Sequence, residues 1–202
     1  MTGLNNLHEH HTHATNLKEN QRVHSLSKNH DRHIGRHTYR FSGVAAVASL
    51  AFAAYKRYTE EQARASAFLP DGRDTLAYRQ LGVTLARAMI AATHASGEMS
   101  SEEKEELISE THILDIDKQS QALLINEINN PANIQSIVDS ASSIEEAAEI
   151  YTTSLLAIEF DNINARNYLI MLGAKLELPI KLIWEIEQEV YTQWAFDNLH
   201  VA

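Results

Sequence analysis

The chain contains no cysteine, and it is poor in proline and glycine, which account for only three and seven of its 202 residues. The absence of cysteine excludes disulfides, thiol catalysis and cysteine zinc sites, and it suits a reducing compartment. The scarcity of helix breakers, together with abundant Ala, Glu, Leu and Ile, favours helices over sheets. The composition therefore predicts an all-α protein.

A long apolar run is also missing. Residues 1–40 contain no apolar stretch of the kind found in a secretory signal peptide, so we expect a cytoplasmic location. The uncharged run at 41–55 has 15 residues, fewer than the about 20 that a membrane-spanning helix needs. We assign a hydrophobic helix to residues 41–69 and expect it to pack on the bundle, on a partner or on a membrane surface. The alternative is a short membrane anchor within residues 41–58.

Charge is unevenly distributed along the chain, whose formal net charge is −10. Residues 1–40 hold six Lys or Arg and three Asp or Glu, whereas the remainder holds 11 and 24, for a net charge of −13. An acidic domain repels nucleic acid, so we expect no nucleic-acid partner.

The first 40 residues are polar, contain eight histidines and show no sustained apolar period, which predicts a disordered His-rich tail. Four of these histidines fall within six residues, namely His8, His10, His11 and His13. Neutral imidazole is a good ligand for zinc and nickel, so this cluster predicts weak Zn or Ni binding. The alternative is an incidental solvated tail, including one that derives from a tag.

The segment 72–202 shows nearly continuous helical spacing. The sequences Ser100–Glu103 and Ser143–Glu146 match the capping box that starts a helix. Pro131 interrupts the pattern and leaves a short helix at 134–138. A faint repeat aligns residues 107–108 with 169–170 at a shift of 62. These patterns predict a helical bundle of two pseudo-repeated helix-loop-helix units with one shared core.

The last helix carries two apolar strips. One strip contains Ile183, Ile186, Val190 and Trp194, and the other contains Trp184 and Tyr191, seven residues apart. Only one strip can point fully into the bundle, and an exposed aromatic strip marks a binding surface. We therefore predict an interaction surface at Trp184, Tyr191 and Trp194, with the 41–58 helix, from the same chain or from a second copy, docked against it as a cover. The alternative is that the bundle buries both strips.

Two loops in a fixed order carry a resemblance to a known family. The segments Ala88-Met89-Ile90-Ala91-Ala92, Gly97-Glu98-Met99-Ser100 and Leu156-Ala157-Ile158-Glu159, the last followed by Tyr168-Leu169, resemble the TerB-like fold. They are most similar to its DUF533 (YebE-like) branch. The resemblance implies an all-α domain at 72–202, association with tellurite or envelope stress or with the inner membrane, and no known reaction.

The same resemblance implies metal binding through acidic loop residues. The loop carboxylates of this chain are Glu98, Glu102, Glu103, Glu159 and Asp161. Two departures weaken such a site, because Ser96 and Arg166 stand where the family carries carboxylates. The alternative is that these acids cap helix N-termini and interact with the helix dipole.

No nucleophile lies in a recognisable catalytic context, and His94 and His112 lie near predicted helix ends. The sequence thus favours a non-enzymatic TerB-like binding or scaffold protein, with a protein partner or a homo-oligomer. The alternative is a metal-binding protein that uses the tail or the acidic loops.

Overall fold

The computed structural model describes residues 44–59, 68, 76–158 and 161–199; side chains at 44, 45, 194 and 196–199 lie outside this description. Within these residues the chain forms helices and no strand, so the all-α prediction is confirmed. The helices are α1 (Val44–Thr59), α2 (Leu76–Ser96), α3 (Ser101–Thr111), α4 (Lys118–Asn129), α5 (Ile134–Val138), α6 (Ile144–Leu156), α7 (Ile163–Lys175) and α8 (Ile180–Leu199). The predicted His-rich tail and residues 41–43, 60–67 and 69 of the predicted 41–69 helix lie outside the described residues, and Phe68 lies in a turn.

Capping explains where the helices begin. At α3 both halves of the predicted box are present: the Ser100 hydroxyl accepts from the Glu103 amide, and the Glu103 carboxylate accepts from the Ser100 amide. At α6 the Ser143 hydroxyl accepts from the Glu146 amide as predicted. The Glu146 carboxylate, however, accepts from the Ser142 amide, one residue before the predicted partner. The second box is therefore present in a shifted form.

Helix α6 lies at the centre of the bundle and packs against α1, α2, α7 and α8. Every residue from 147 to 155 is buried, including Glu149 and two threonines. An apolar stripe predicts burial of one side only. The neighbours of α6 therefore enclose it on all sides.

Helix α1 belongs to the main core and packs on α6 and α8. Its buried residues are mostly small, namely Val47, Ala48, Leu50, Ala51 and Ala54. Arg57 at its end pairs with Glu185 and Glu189 of α8. The predicted docking of this segment on the last helix is confirmed. Among the described helices, none has the length and apolarity that a membrane crossing requires.

The two pseudo-repeated units correspond to α2–α3–α4 and α6–α7–α8. Asn162 caps α7 and donates its side-chain amide to the Ser96 carbonyl at the end of α2, which joins the equivalent loops of the two units.

The prediction of one shared core needs correction. A large cluster involves α1, α2 and α6–α8, and a smaller one around Leu124 and Ile128 lies beneath α3 and α4. Helix α2 contributes to both clusters, because its opposite faces are both apolar.

Candidate functional site

Two of the predicted interaction residues are exposed on α8. Trp184 is 55% exposed and Tyr191 is 44% exposed, while the side chain of Trp194 lies outside the described residues. Helix α1 contacts α8 on the side of Glu185 and Glu189, which is a different side of the helix. The prediction that α1 covers the aromatic strip is therefore wrong. The strip points away from the core at helical spacing.

A cleft of about 410 Å³ opens beside this strip, between α6, α7 and α8. Its floor is apolar and consists of Leu155, Ile158 and Leu169. Ile170 of α7 forms one wall and Tyr191 of α8 forms the other. This volume lies within the range of about 300–1,000 Å³ that ligand sites occupy.

Both walls continue outward as exposed apolar rims. On α7 the rim consists of Ile163 and Ile170, which are 63% and 71% exposed. On α8 it consists of Ile180, Trp184 and Tyr191. Residues seven apart on a helix lie on the same face, two turns along the axis. Ile170 and Tyr191 line the cleft itself, whereas Ile163, Ile180 and Trp184 lie further along the same two helices, outside its lining.

The polar groups of the cleft are few. The Tyr151 hydroxyl donates to Glu187 Oε1 at 3.1 Å. Burial, and then the charge and hydrogen bond of Glu187, raise the pKa of Tyr151, so its phenol is neutral at ordinary pH. Arg166 lines the opposite wall, is exposed and forms no ion pair with any described residue. The cleft thus combines one cation and one anion on opposite walls of an apolar groove.

Gly173 sets the spacing of these walls. A Cβ atom at this position would lie 2.8 Å from Ile183 Cδ1 and 3.2 Å from Tyr151 Cε2. A larger residue would therefore press α7 away from α8 and from the floor of the cleft. Glycine allows these three helices to approach closely.

Comparison with known proteins identifies the family. The sequence profile of the family described as Protein of unknown function (DUF533) matches residues 22–190. The chain belongs to the DUF533 family. A relative from Yersinia enterocolitica, described as an uncharacterized protein in the ampR 5′ region, is 26% identical over 106 residues, which cover 52% of this chain and 76% of the relative. No solved structure matches this DUF533 protein.

The acidic loop residues are placed as follows. Glu103 is engaged in the α3 capping box, whereas Glu98, Glu102 and Asp161 are exposed. Glu159 lies outside the described residues. In the described part of the chain, no three His, Asp or Glu side chains come together as a group that could hold a metal ion. Zinc or nickel binding by His8, His10, His11 and His13 stays a prediction, because the tail is not described.

The two histidines among the described residues, His94 and His112, lie at helix ends. His94 Nε2 lies 3.0 Å from the Ile128 carbonyl, and burial, acting against hydrogen bonds to the backbone, lowers the pKa of His94. A carbonyl only accepts, so Nε2 carries the proton in this contact. His112 is the C-cap residue of α3, and its Nδ1 lies 3.1 Å from Gln121 Nε2. Both rings thus join α4 to its neighbours.

A second cleft of about 290 Å³ lies between α2 and α4. Its Arg87 donates from Nε to both carboxylate oxygens of Glu127, at 2.9 and 3.0 Å. Its Asp117 accepts from two amides as the N-cap of α4. Because Arg87 and Asp117 already form these interactions within the fold, this cleft is the weaker candidate for a binding site.

The interior contains one unusual carboxyl group. Glu149 is 1% exposed, and its Oε1 has no hydrogen-bond partner in the described structure. Burial, reinforced by Glu146 and Glu145, raises the pKa of Glu149 to about 8. The group is therefore mostly neutral at pH 7, as a buried and unpaired carboxyl requires.

Sequence reasoning missed most of the α7 wall. Ile163 and Ile170 stand seven apart and lie opposite the buried stripe of Ala165, Leu169 and Leu172, a signal that was available in the sequence. Arg166 was noticed only as a departure from the family pattern. Its place in the cleft depends on how α7 packs against α6 and α8, which the local sequence does not reveal.

Proposed function

We propose that this DUF533 protein is a non-enzymatic binding module whose working surface is the cleft between α7 and α8 with its apolar rims. The observation that carries the proposal is the exposure of Ile170 and Tyr191 at the cleft, with Ile163, Ile180 and Trp184 also exposed further along the same two helices. Exposed aromatic and aliphatic side chains gathered around a pocket are typical of protein-binding surfaces.

The absence of an enzymatic reaction is part of the proposal. It is supported by the use of the two described histidines, His94 and His112, at helix ends, where each contacts a carbonyl or an amide. The raised pKa of the Tyr151 phenol keeps it protonated at ordinary pH, which makes it a poor nucleophile. Association with envelope or tellurite stress rests on the resemblance alone and is proposed only as the setting.

A photo-crosslinking residue placed on the rim tests the proposal in cells. p-Benzoylphenylalanine at Ile170 samples the cleft wall, and the same residue at Ile113 is a matched control, because Ile113 is an isoleucine that is 81% exposed in the turn after α3. We expect a discrete adduct from position 170 and none from position 113. Indistinguishable adduct patterns at the two positions would contradict a dedicated surface at the cleft.

The mass of the adduct separates two kinds of partner. An adduct of twice the chain mass indicates a second copy, and any other discrete mass indicates a different protein. Both outcomes support a binding surface. They differ in the identity of the partner, because only the first outcome indicates a second copy of the chain.

A further inference from the structure

We propose that the occupant of this cleft is a second copy of the chain, which binds face to face across a twofold axis. The inference rests on the proposed function of the cleft and names its partner. In this arrangement α7 and α8 of each copy form a four-helix interface, and Arg166 of one copy pairs with Glu187 of the other.

The first argument is the self-complementary charge of the surface. Arg166 and Glu187 lie on opposite walls of the cleft and do not form an ion pair with each other. In an interface with twofold symmetry, residue i contacts residue j and residue j contacts residue i. One cation and one anion on opposite walls therefore find their complements in an identical surface, and the two pairs form at once.

The second argument is the distribution of acidic residues. The segment 41–202 holds 24 Asp or Glu, yet the sequence of α7 contains none and does contain Arg166 and Lys175. On α8, Glu185 and Glu189 are directed to Arg57 of α1, away from the rims. Two copies of an acidic bundle repel each other, and the α7 side of this face adds no acidic residue to that repulsion.

The third argument is the spacing of the apolar side chains. Ile163 and Ile170 on one rim, and Trp184 and Tyr191 on the other, recur every seven residues. A seven-residue repeat keeps side chains on the side of a helix that faces another helix, as in bundles and coiled coils. A rim built in this way fits a helix of the same repeat, and α7 of a second copy supplies one.

A charge-swap experiment on the full chain tests the pairing. Arg166→Glu alone places like charges opposite each other at both contacts, and so does Glu187→Arg alone. In an equimolar mixture of the two variants, each contact again joins an acid to a base. We therefore expect the wild type to sediment as a concentration-dependent dimer, each variant to dimerise about tenfold or more weakly, and the mixture to recover a heterodimer.

Control variants separate pairing from net charge and from folding. Lys118→Glu and Glu105→Arg make the same charge changes at exposed positions on α4 and α3, and both should leave the dimer unchanged. Glu187→Gln keeps an acceptor for Tyr151 and removes the charge, so it should weaken the dimer without lowering the melting temperature measured at a concentration where both proteins are monomeric. Circular dichroism establishes that each variant is folded.

Three outcomes overturn the inference: a wild type that stays monomeric at every concentration, variants that dimerise as tightly as the wild type, or a mixture that fails to recover the dimer. A monomeric wild type with a discrete adduct of another mass at position 170 overturns the second copy alone and leaves the binding surface in place. Adducts that do not distinguish position 170 from position 113 overturn the proposed function itself.

Discussion

Helix α8 has two apolar sides, and their surroundings differ. The covered side carries Leu182, Ile186 and Val190, which are at most 1% exposed beneath α1 and α6. The open side carries Ile180, Trp184 and Tyr191, which stay accessible beside the cleft. The difference shows that apolar character at helical spacing does not by itself decide which side is buried. The small residues of α1 decide it, because they allow that helix to approach α8 closely.

The largest change in the free energy of unfolding that we expect involves Glu149, which is buried in α6. Because the pKa of Glu149 is raised from 4.5 to about 8, the native state holds a proton that the unfolded chain releases. The free energy of unfolding should therefore be highest below pH 4.5, fall as pH rises towards 8, and level off above it. At about 1.36 kcal/mol per pKa unit, this fall reaches up to roughly 5 kcal/mol.

Urea unfolding of the wild type and of Glu149→Gln between pH 5 and 9 measures this effect. The glutamine variant cannot ionise at this position, so its stability should change much less over the same range. Equal pH dependence in the two proteins would show that Glu149 has an ordinary pKa.

A matched pair of truncations compares the two sides of α8 directly. Ile186→Ala on the covered side removes a fully buried side chain and should lower the free energy of unfolding by about 2–5 kcal/mol. Trp184→Ala on the open side should change it by no more than about 0.5 kcal/mol. Denaturant unfolding at a protein concentration that keeps the chain monomeric gives both values, and similar losses would refute the distinction.

A large side chain between α7 and the floor of the cleft should lower the free energy of unfolding by an intermediate amount. Gly173→Leu inserts a side chain where even a Cβ atom lies 2.8 Å from Ile183 Cδ1, and we expect a loss of about 1–3 kcal/mol. The cleft should change shape as α7 moves, so the crosslink at position 170 should weaken. Ala174→Leu, at the exposed neighbouring position, is the control and should leave both readouts unchanged.

The smallest effect concerns the turn that joins the two walls. Glu177 has φ 54°, and the Leu178 amide donates to the Gly173 carbonyl in a Schellman motif that ends α7. Glu177→Gly should raise stability by about 1 kcal/mol, because glycine adopts this conformation without the strain of a Cβ atom. Glu177→Ala keeps the Cβ atom and should bring no such gain; thermal unfolding compares the two.

Local signals in the sequence predicted much of this fold. The short α5 helix, the caps at Ser100 and Ser143, and the all-helical class follow from residues that act within one turn of their position. The full burial of α6 could not be predicted in this way, because Glu149 and Thr152 are polar and their burial depends on neighbours distant in the sequence.

The candidate site was less accessible to sequence reasoning. Trp184 and Tyr191 were found because aromatics beyond one core stripe are unusual, but their predicted cover was wrong. The positions of Arg166 and Ile170 in the cleft depend on the approach of α7 at Gly173, which is a tertiary contact. In a single sequence, Gly173 is recognisable only as a residue of low helix propensity.

The contact between α1 and α8 has a consequence for synthesis on the ribosome. Lys181 Nζ donates to the Tyr58 carbonyl across 123 positions of the chain. At about 5–20 residues per second, the translation of α1 ends roughly 6–25 seconds before that of α8 begins. For most of this interval neither α6 nor α8 has been completed, so the apolar side of α1 lacks both of its partners. A chaperone that binds short apolar helices would therefore meet this nascent chain at α1 first, and release would follow the arrival of α8.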